Sequence, residues 1–195
     1  MNRRIAIRNM ALILGSVAVL PSCLNDKGKP VVALKHLKLD ADQENVVNNL
    51  TETILPKTST PGAKDLGINL FVFKMIDDCF DQKQQDEFMD GLKEFSAAVD
   101  EKYGKSFNEL TPQERAAFVT GMEKQAKENR VKTQAADSAK KPAEPNKAEN
   151  FYNTVKGQTV FGYTTSQYFM TKEVVYELVP GRYNAMFPVK KKATA

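Results

Sequence analysis

The chain has few histidine and cysteine residues, which are common metal ligands and nucleophiles. Its 195 residues include one histidine, His36, two cysteines and no tryptophan. One histidine cannot build a metal site by itself, and no cysteine cluster supplies the other ligands. The chain also lacks a Cys-x-x-Cys-His haem motif, a Gly-x-Gly-x-x-Gly dinucleotide motif and a phosphate-binding loop. We therefore expect no catalytic, cofactor-binding or metal-binding residue in this chain.

Outside its N-terminus, the chain has nearly equal numbers of positive and negative charges. The formal net charge is +4, and Arg3, Arg4 and Arg8 all precede the first acidic residue. Without these arginines the chain carries +1, so its charge does not indicate a nucleic-acid partner. The basic end, residues 189–195, is interpreted as a solvated tail.

No apolar run is long enough to cross a membrane as a helix. Residues 10–20 form an apolar run far shorter than the roughly 20 residues that a spanning helix needs. Behind a basic start, this run predicts a secretory signal peptide over residues 1–22. Leu20-Pro21-Ser22-Cys23 resembles a lipobox, which predicts that Cys23 is the lipid-bearing first residue of the mature protein. An ordinary signal peptide with a chance cysteine and an uncleaved anchor are the alternatives.

These features predict a membrane-anchored lipoprotein of the cell envelope that faces the periplasm. Residues 23–38 are interpreted as a flexible tether between the lipid and the folded domain. Adjacent Arg3 and Arg4 fit the twin-arginine export route, but they leave the general secretory route open. With Cys23 lipidated, Cys79 is the remaining thiol, and we expect it to be buried rather than paired with another chain.

Helical periodicity predicts an all-α domain over residues 39–188, a compact bundle of about five or six helices. Helices are expected from Leu39 to Ile54 with Asp40 or Asp42 as the cap, over 65–80, from Gln82 to Lys102 ahead of Gly104, from Pro112 to about Asn129 behind a Thr111–Glu114 capping box, over 150–157 and over 171–178. Residues 130–148 are rich in Lys, Ala, Gln and Pro, and we interpret them as a disordered or loosely helical linker. Residues 162–166 indicate a break between helices, and a short strand over 159–163 is the alternative.

The acidic pairs are expected to be solvated surface, namely Asp77 with Asp78, Asp86 with Asp90, and Glu123 with Glu128.

Three segments occur in an order that is typical of one family. They are Ile54-Leu55-Pro56-Lys57-Thr58-Ser59-Thr60-Pro61-Gly62-Ala63, then Leu110-Thr111-Pro112-Gln113-Glu114, then Gly162-Tyr163-Thr164-Thr165-Ser166 with Val179-Pro180-Gly181 downstream. In this order they resemble the gluconate 2-dehydrogenase subunit 3 family, the small subunits of membrane-associated flavin dehydrogenases. The resemblance covers nearly all of the mature chain.

The resemblance implies a partner rather than an active site. In such complexes a separate large subunit holds FAD and oxidises a sugar or sugar acid, and a cytochrome c subunit, where present, passes electrons to the membrane. The small subunit accompanies the large one through folding and export. Many members carry a twin-arginine signal without a lipobox, so Cys23 departs from the family pattern.

Two of the family segments contain residues suited to a protein interface. Tyr163 stands beside small hydroxyl residues, and a tyrosine in such a setting is common at interfaces. The candidate interface residues are Pro56, Pro61, Gly62, Tyr163, Thr164, Ser166, Pro180 and Gly181. The alternative is that both segments only cap helices and fill their own fold.

Three functions follow from these observations, in decreasing order of support. The first is the non-catalytic accessory subunit of a periplasm-facing FAD-dependent dehydrogenase, which predicts an apolar surface patch. The second is a stand-alone envelope lipoprotein with a ligand-binding or structural role, which predicts an enclosed pocket. The third is a self-sufficient enzyme, which requires converging titratable groups that the sequence does not indicate.

Overall fold

The domain is a bundle of α-helices. The computed structural model describes residues 32–136, 146–174 and Met186, with the backbone alone for 129–136. The α-helices are α1 (Ala41–Ile54), α2 (Ile68–Cys79), α3 (Gln82–Tyr103), α4 (Pro112–Ala136) and α5 (Lys147–Thr164). A short 3₁₀-helix occupies Phe107–Glu109 and a π-helix occupies Phe169–Glu173. This part of the chain contains no strand, and the predicted all-α bundle is confirmed.

Helix α5 lies at the centre of the packing and contacts α3 most extensively, then α2 and α1. Two glycines allow the close approaches. A Cβ atom on Gly91 of α3 would lie 2.6 Å from the Lys147 carbonyl oxygen and 2.8 Å from Phe151 Cβ. A Cβ atom on Gly162 of α5 would lie 2.7 Å from a ring carbon of Phe71. Since real Cβ contacts are longer than this, both helix crossings depend on glycine.

Aromatic rings at the core join elements that are distant in the sequence. The Phe95 ring of α3 lies 5.2 Å from the Phe107 ring, 5.4 Å from the Phe118 ring and 5.3 Å from the Phe151 ring. Phe95, Phe107 and Phe151 are almost fully buried. Edge-to-face and tilted ring pairs stabilise a core beyond the area they bury, by about 0.5 to 1.5 kcal/mol each. The cluster therefore ties α3, the 3₁₀-helix, α4 and α5 together.

The predicted helix ends agree with the structure where a local capping signal exists. Asp40, one of the two candidate caps, accepts from the Gln43 backbone N–H at 2.8 Å, and the Gln43 side chain accepts from the Asp40 N–H at 3.0 Å. Thr111 and Glu114 form the predicted capping box of α4. Gly104 ends α3 in the left-handed conformation, with a φ of 64°. Side-chain caps of this kind stabilise a helix by about 1 kcal/mol each.

The predicted break at residues 162–166 begins too early, and the alternative strand over 159–163 is wrong. Helix α5 continues through Gly162 and ends at Thr164. Glycine weakens an isolated helix, but Gly162 is retained inside α5 because it lets α5 pack against Phe71. Helix α5 also starts at Lys147, earlier than expected, because the Asn146 side chain accepts from the Glu149 N–H at 2.6 Å and caps it.

The predicted linker over 130–148 is partly helical. Helix α4 extends to Ala136, and α5 takes in the last two residues of the linker. Lys, Ala and Gln are good helix formers, so a polar composition by itself does not end a helix. The predicted helix over 171–178 coincides only in part with the π-helix, and its residues from 175 onward lie outside the described part.

Asp77, expected on the solvated surface, is buried on α2. Its Oδ2 atom accepts from the Lys35 N–H at 2.8 Å, and its Oδ1 atom accepts from the N–H groups of His36 at 2.8 Å and Leu37 at 2.7 Å. Burial acts to raise the pKa of Asp77, but the three N–H donors outweigh it, so the pKa lies below its ordinary value. Leu37 is buried in the core. Part of the segment predicted as a tether therefore packs on the domain.

Cys79 is exposed, so the expected burial of this thiol is wrong. Cys79 is the last residue of α2, and the last buried residues of that helix are Ile76 and Asp77. Beyond them the chain turns toward Asp81, which caps α3. The thiol therefore lies outside the packed part of the helix.

Candidate partner interface

The first candidate segment is the connection between α1 and α2. Pro56 is exposed, Pro61 is half-buried and Gly62 is buried. A Cβ atom on Gly62 would lie 2.7 Å from the Lys57 backbone nitrogen and 2.8 Å from a carboxylate oxygen of Glu52. Because Gly62 has no side chain, its backbone can lie close to the backbone of Lys57. Of the three candidate residues in this segment, Pro56 is the exposed one.

Asp65 forms an ion pair and a hydrogen bond within this connection. Asp65 accepts from the Gly62 N–H at 3.2 Å, and its carboxylate lies 3.1 Å from Lys57 Nζ. The hydrogen bond from Lys57 and then that from Gly62 lower the pKa of Asp65. Backbone hydrogen bonds within the same connection add to these contacts, from the Ala63 N–H to the Leu55 carbonyl at 2.9 Å and from the Thr58 N–H to the Thr60 carbonyl at 3.0 Å.

The second candidate segment is the C-terminal end of α5, where three hydroxyl groups bond to the helix itself. Thr164 Oγ1 donates to the Val160 carbonyl at 3.0 Å, and Ser166 Oγ donates to the Tyr163 carbonyl at 2.7 Å. Thr165 Oγ1 bonds in the same way to the Phe161 carbonyl at 2.7 Å. The Phe161 and Tyr163 carbonyls also accept from the backbone N–H groups of Thr165 and Ser166, at 3.0 Å each, so the hydroxyls add second hydrogen bonds at this helix end. The structure thus gives them a capping role, whether or not a partner also contacts them.

The two candidate segments lie at the same end of the bundle. Gly162 packs against Phe71 and Ile68 at the start of α2. The Ile68 N–H in turn donates to the carbonyl of Ala63, a residue of the first segment, at 2.9 Å. Ile68 therefore bridges the loop and the end of α5. The remaining predicted site residues lie outside the described part of the chain, namely Arg3, Arg4, Cys23, Pro180 and Gly181.

The accessory-subunit hypothesis predicted an apolar surface patch, but sequence reasoning did not locate it beside these segments. The Phe161 ring is 50% exposed and lies 5.9 Å from the half-buried Phe71 ring. Leu70 is 47% exposed and Val160 is 49% exposed. We call the two rings, with the Leu70 and Val160 side chains that precede them in the sequence, the Phe71–Phe161 surface. The missed signal is the absence of charge, since residues 66–73 and 157–171 contain no Asp, Glu, Lys, Arg or His.

A small, partly open cavity lies between α4 and α5. Its volume is about 160 Å³, and it is lined by Met122, Glu123, Ala126, Lys127, Glu149, Tyr152, Asn153 and Lys156. Pockets that enclose a drug-sized ligand measure roughly 300 to 1,000 Å³, so this cavity is small for such a ligand.

Glu123 is the centre of the polar contacts in this cavity. Its carboxylate accepts from Lys156 Nζ and, at 2.6 Å, from Tyr152 Oη. The hydrogen bonds from Lys156 and then Tyr152 lower the pKa of Glu123, while burial and then Glu123 raise the pKa of Tyr152. At neutral pH Glu123 is therefore an ionised acceptor and Tyr152 a neutral donor, an arrangement that joins α4 to α5.

Neither a metal cluster nor a spanning helix occurs in the described residues. Across 32–136, 146–174 and Met186, no group of three or more His, Cys, Asp or Glu side chains is placed to hold a metal ion. Within the same ranges, no helix combines the length and apolar character needed to cross a membrane.

The family comparison covers the helices on which the candidate interface stands. None of the curated proteins or solved structures compared with the chain matches it. The model of the family described as gluconate 2-dehydrogenase subunit 3 matches residues 41–181, a range that includes all five α-helices and both candidate segments. The chain belongs to the gluconate 2-dehydrogenase subunit 3 family.

Proposed function

We propose that this chain is the non-catalytic small subunit of a periplasm-facing FAD-dependent sugar or sugar-acid dehydrogenase complex. In this role it assists the folding, export and membrane association of the large flavoprotein subunit. The family match over residues 41–181 carries the proposal, because that family consists of subunits of gluconate dehydrogenase complexes with a large catalytic partner. FAD, and a cytochrome c subunit where one is present, belong to the partners.

The contacts of the titratable groups support an accessory role. Asp77 is engaged with backbone N–H groups, and Glu123 is engaged with Lys156 and Tyr152. These hydrogen bonds stabilise the fold. A general base would instead have to lie within reach of a substrate proton. The redox chemistry is therefore assigned to the large subunit.

The N-terminal sequence supports a role in export. A flavoprotein that acquires FAD before export must cross the membrane folded, which the twin-arginine route permits. Arg3 and Arg4 fit a signal that this chain supplies for both subunits. Acyl chains on Cys23 then hold the complex at the membrane surface, since each buried methylene contributes about 0.8 kcal/mol.

The test is purification of the tagged chain from its native membranes in mild detergent, with mass spectrometry and flavin absorbance as readouts. We expect a large oxidoreductase subunit with FAD in stoichiometric amount. A tagged, unrelated lipoprotein from the same membranes is the matched control and should bring neither. Recovery of the chain alone and colourless at native expression would contradict the proposal and favour the stand-alone envelope lipoprotein.

A further inference from the structure

We propose that the Phe71–Phe161 surface is where the large catalytic subunit docks, through an apolar and uncharged segment of its own. The inference rests on the proposed function, because it presupposes that the chain has such a partner. It goes further by choosing one surface of the bundle and by specifying the chemistry of the segment that covers it.

The charge pattern singles out this surface. Residues 66–73 and 157–171 carry no charge, whereas 27% of all residues in the chain are charged. By contrast, the solvent-facing side of α3 carries ion pairs such as Lys83 with Glu87 and Asp90 with Lys93. Depletion of charge together with enrichment in aromatic residues distinguishes the core of a protein interface from ordinary surface. An uncharged surface calls for an uncharged partner segment, because burying an unpaired charge against it is costly.

One side of the Phe161 ring already packs within the chain. Phe161 is half-exposed, and its ring packs against the Phe71 ring. Gly162, which has no side chain, allows α5 to lie close to α2. A side chain held in place before binding loses little conformational freedom when the partner arrives, and buried aromatic anchors dominate interface energies.

The threonine hydroxyls beside Phe161 do not need hydrogen-bond acceptors from a partner. Thr164 and Thr165 direct their hydroxyls to carbonyl groups of α5, so these donors are satisfied inside the chain. A partner segment without matching polar groups can therefore cover Thr164 and Thr165 and leave neither hydroxyl hydrogen without an acceptor. This favours an apolar segment over a polar or charged one.

Charge-introducing variants test the surface in the full-length chain. Phe161→Glu on α5 and Leu70→Glu on α2 each place a carboxylate in it, and Ala97→Glu places one on an exposed position of α3. We expect each of the first two variants to reduce the recovered large subunit and its flavin at least about tenfold, as for loss of a hot-spot contact. We expect Ala97→Glu to retain wild-type recovery. Circular dichroism establishes that each variant is folded.

The outcomes separate this inference from the proposed function. Wild-type recovery of the flavoprotein by both folded variants would overturn the docking surface and leave the accessory role intact. Failure of the wild-type chain to recover any flavoprotein would contradict the accessory role itself, and the docking surface with it.

A photo-crosslinking residue in place of Phe161 identifies the occupant without depending on the folding of a charged variant. Crosslinks to the large subunit support the proposal. Crosslinks confined to a second copy of this chain, or to its own residues after 174, overturn it.

The association of the chain with the large subunit should also change less than about twofold when salt is raised to about 0.5 M, because screening weakens charged contacts and not apolar ones.

Discussion

Gln85 and Asp77 are joined by a buried hydrogen bond in which Gln85 Nε2 donates to the Asp77 carbonyl oxygen at 3.0 Å. The same amide donates to the carbonyls of Ile76 at 3.1 Å and Phe80 at 3.2 Å, and so caps the C-terminal end of α2. The Asp77 side chain meanwhile binds the backbone of residues 35–37. These two residues therefore fasten the N-terminal segment, α2 and α3 to one another.

Replacement of Asp77 should loosen this junction. Asp77→Asn preserves the shape of the side chain but turns one acceptor oxygen into an NH₂ group that faces backbone N–H donors. We expect the free energy of unfolding to fall by about 2 to 4 kcal/mol, since buried donors are left without acceptors. Urea denaturation followed by circular dichroism at pH 7 measures this change.

The neighbouring residue provides a matched control for that variant. Asp78 is exposed, and its contact is an ion pair with Lys35 Nζ at 3.5 Å. Exposed ion pairs contribute little to stability, so Asp78→Asn should leave the free energy of unfolding nearly unchanged. Equal losses from the two variants would contradict the assigned role of Asp77.

The stability difference between wild type and Asp77→Asn should depend on pH. The pKa of Asp77 is lower in the folded chain than in the unfolded chain, where an aspartate titrates at about 4. A lowered folded-state pKa stabilises the protein above the unfolded value, and this contribution is lost as the pH falls through the folded value. We therefore expect the difference in free energy of unfolding to be constant above about pH 5 and to shrink below about pH 4. A difference that stays constant in urea titrations from neutral to strongly acidic pH would refute this assignment.

The features that the sequence predicted well depend on neighbouring residues. The cap of α1 at Asp40, the capping box of Thr111 with Glu114, and the stop at Gly104 each involve contacts over three or four positions. The three-four spacing of Phe88, Leu92, Phe95 and Val99 likewise puts them on one face of α3, and all four are buried. Local chemistry suffices for such elements, because helix periodicity and capping are properties of a single turn or a single face.

The features that the sequence missed depend on residues far apart in the chain. Asp77 stands in the polar run Asp77-Asp78-Cys79, which resembles a solvated helix end, and its three partners lie about 40 positions earlier. Gly162 resembles a helix breaker until Phe71 is found 2.7 Å from where its Cβ atom would be. Such contacts appear only once the helices are packed, and so does the Phe71–Phe161 surface.

Replacement of Cys23 tests the membrane anchor. Cys23 lies outside the described residues, and its lipidation is a prediction from the sequence. In cells that lack the large subunit, we expect Cys23→Ser to move the chain from the membrane to the aqueous fraction and to abolish labelling by palmitate, because the acyl chains supply the attachment. Cys79→Ser is the control and should remain in the membrane. A Cys23→Ser chain that stays membrane-bound without its partner would favour an uncleaved anchor.

Two glycine replacements test the helix crossing at α3 and α5. Gly91→Ala places a methyl group 2.6 Å from the Lys147 carbonyl oxygen, a backbone atom that cannot turn away, so we expect the free energy of unfolding to fall by about 1 to 3 kcal/mol. Gly157→Ala is the matched control, because it also lies within a helix but its added Cβ would meet no atom within 4 Å apart from the backbone of its own helix. There alanine should stabilise the protein by up to about 1 kcal/mol through its better helix propensity. Thermal and urea denaturation of both variants give the comparison. If Gly91→Ala were as stabilising as Gly157→Ala, then α3 and α5 would not be in the close contact that places α5 at the centre of the bundle.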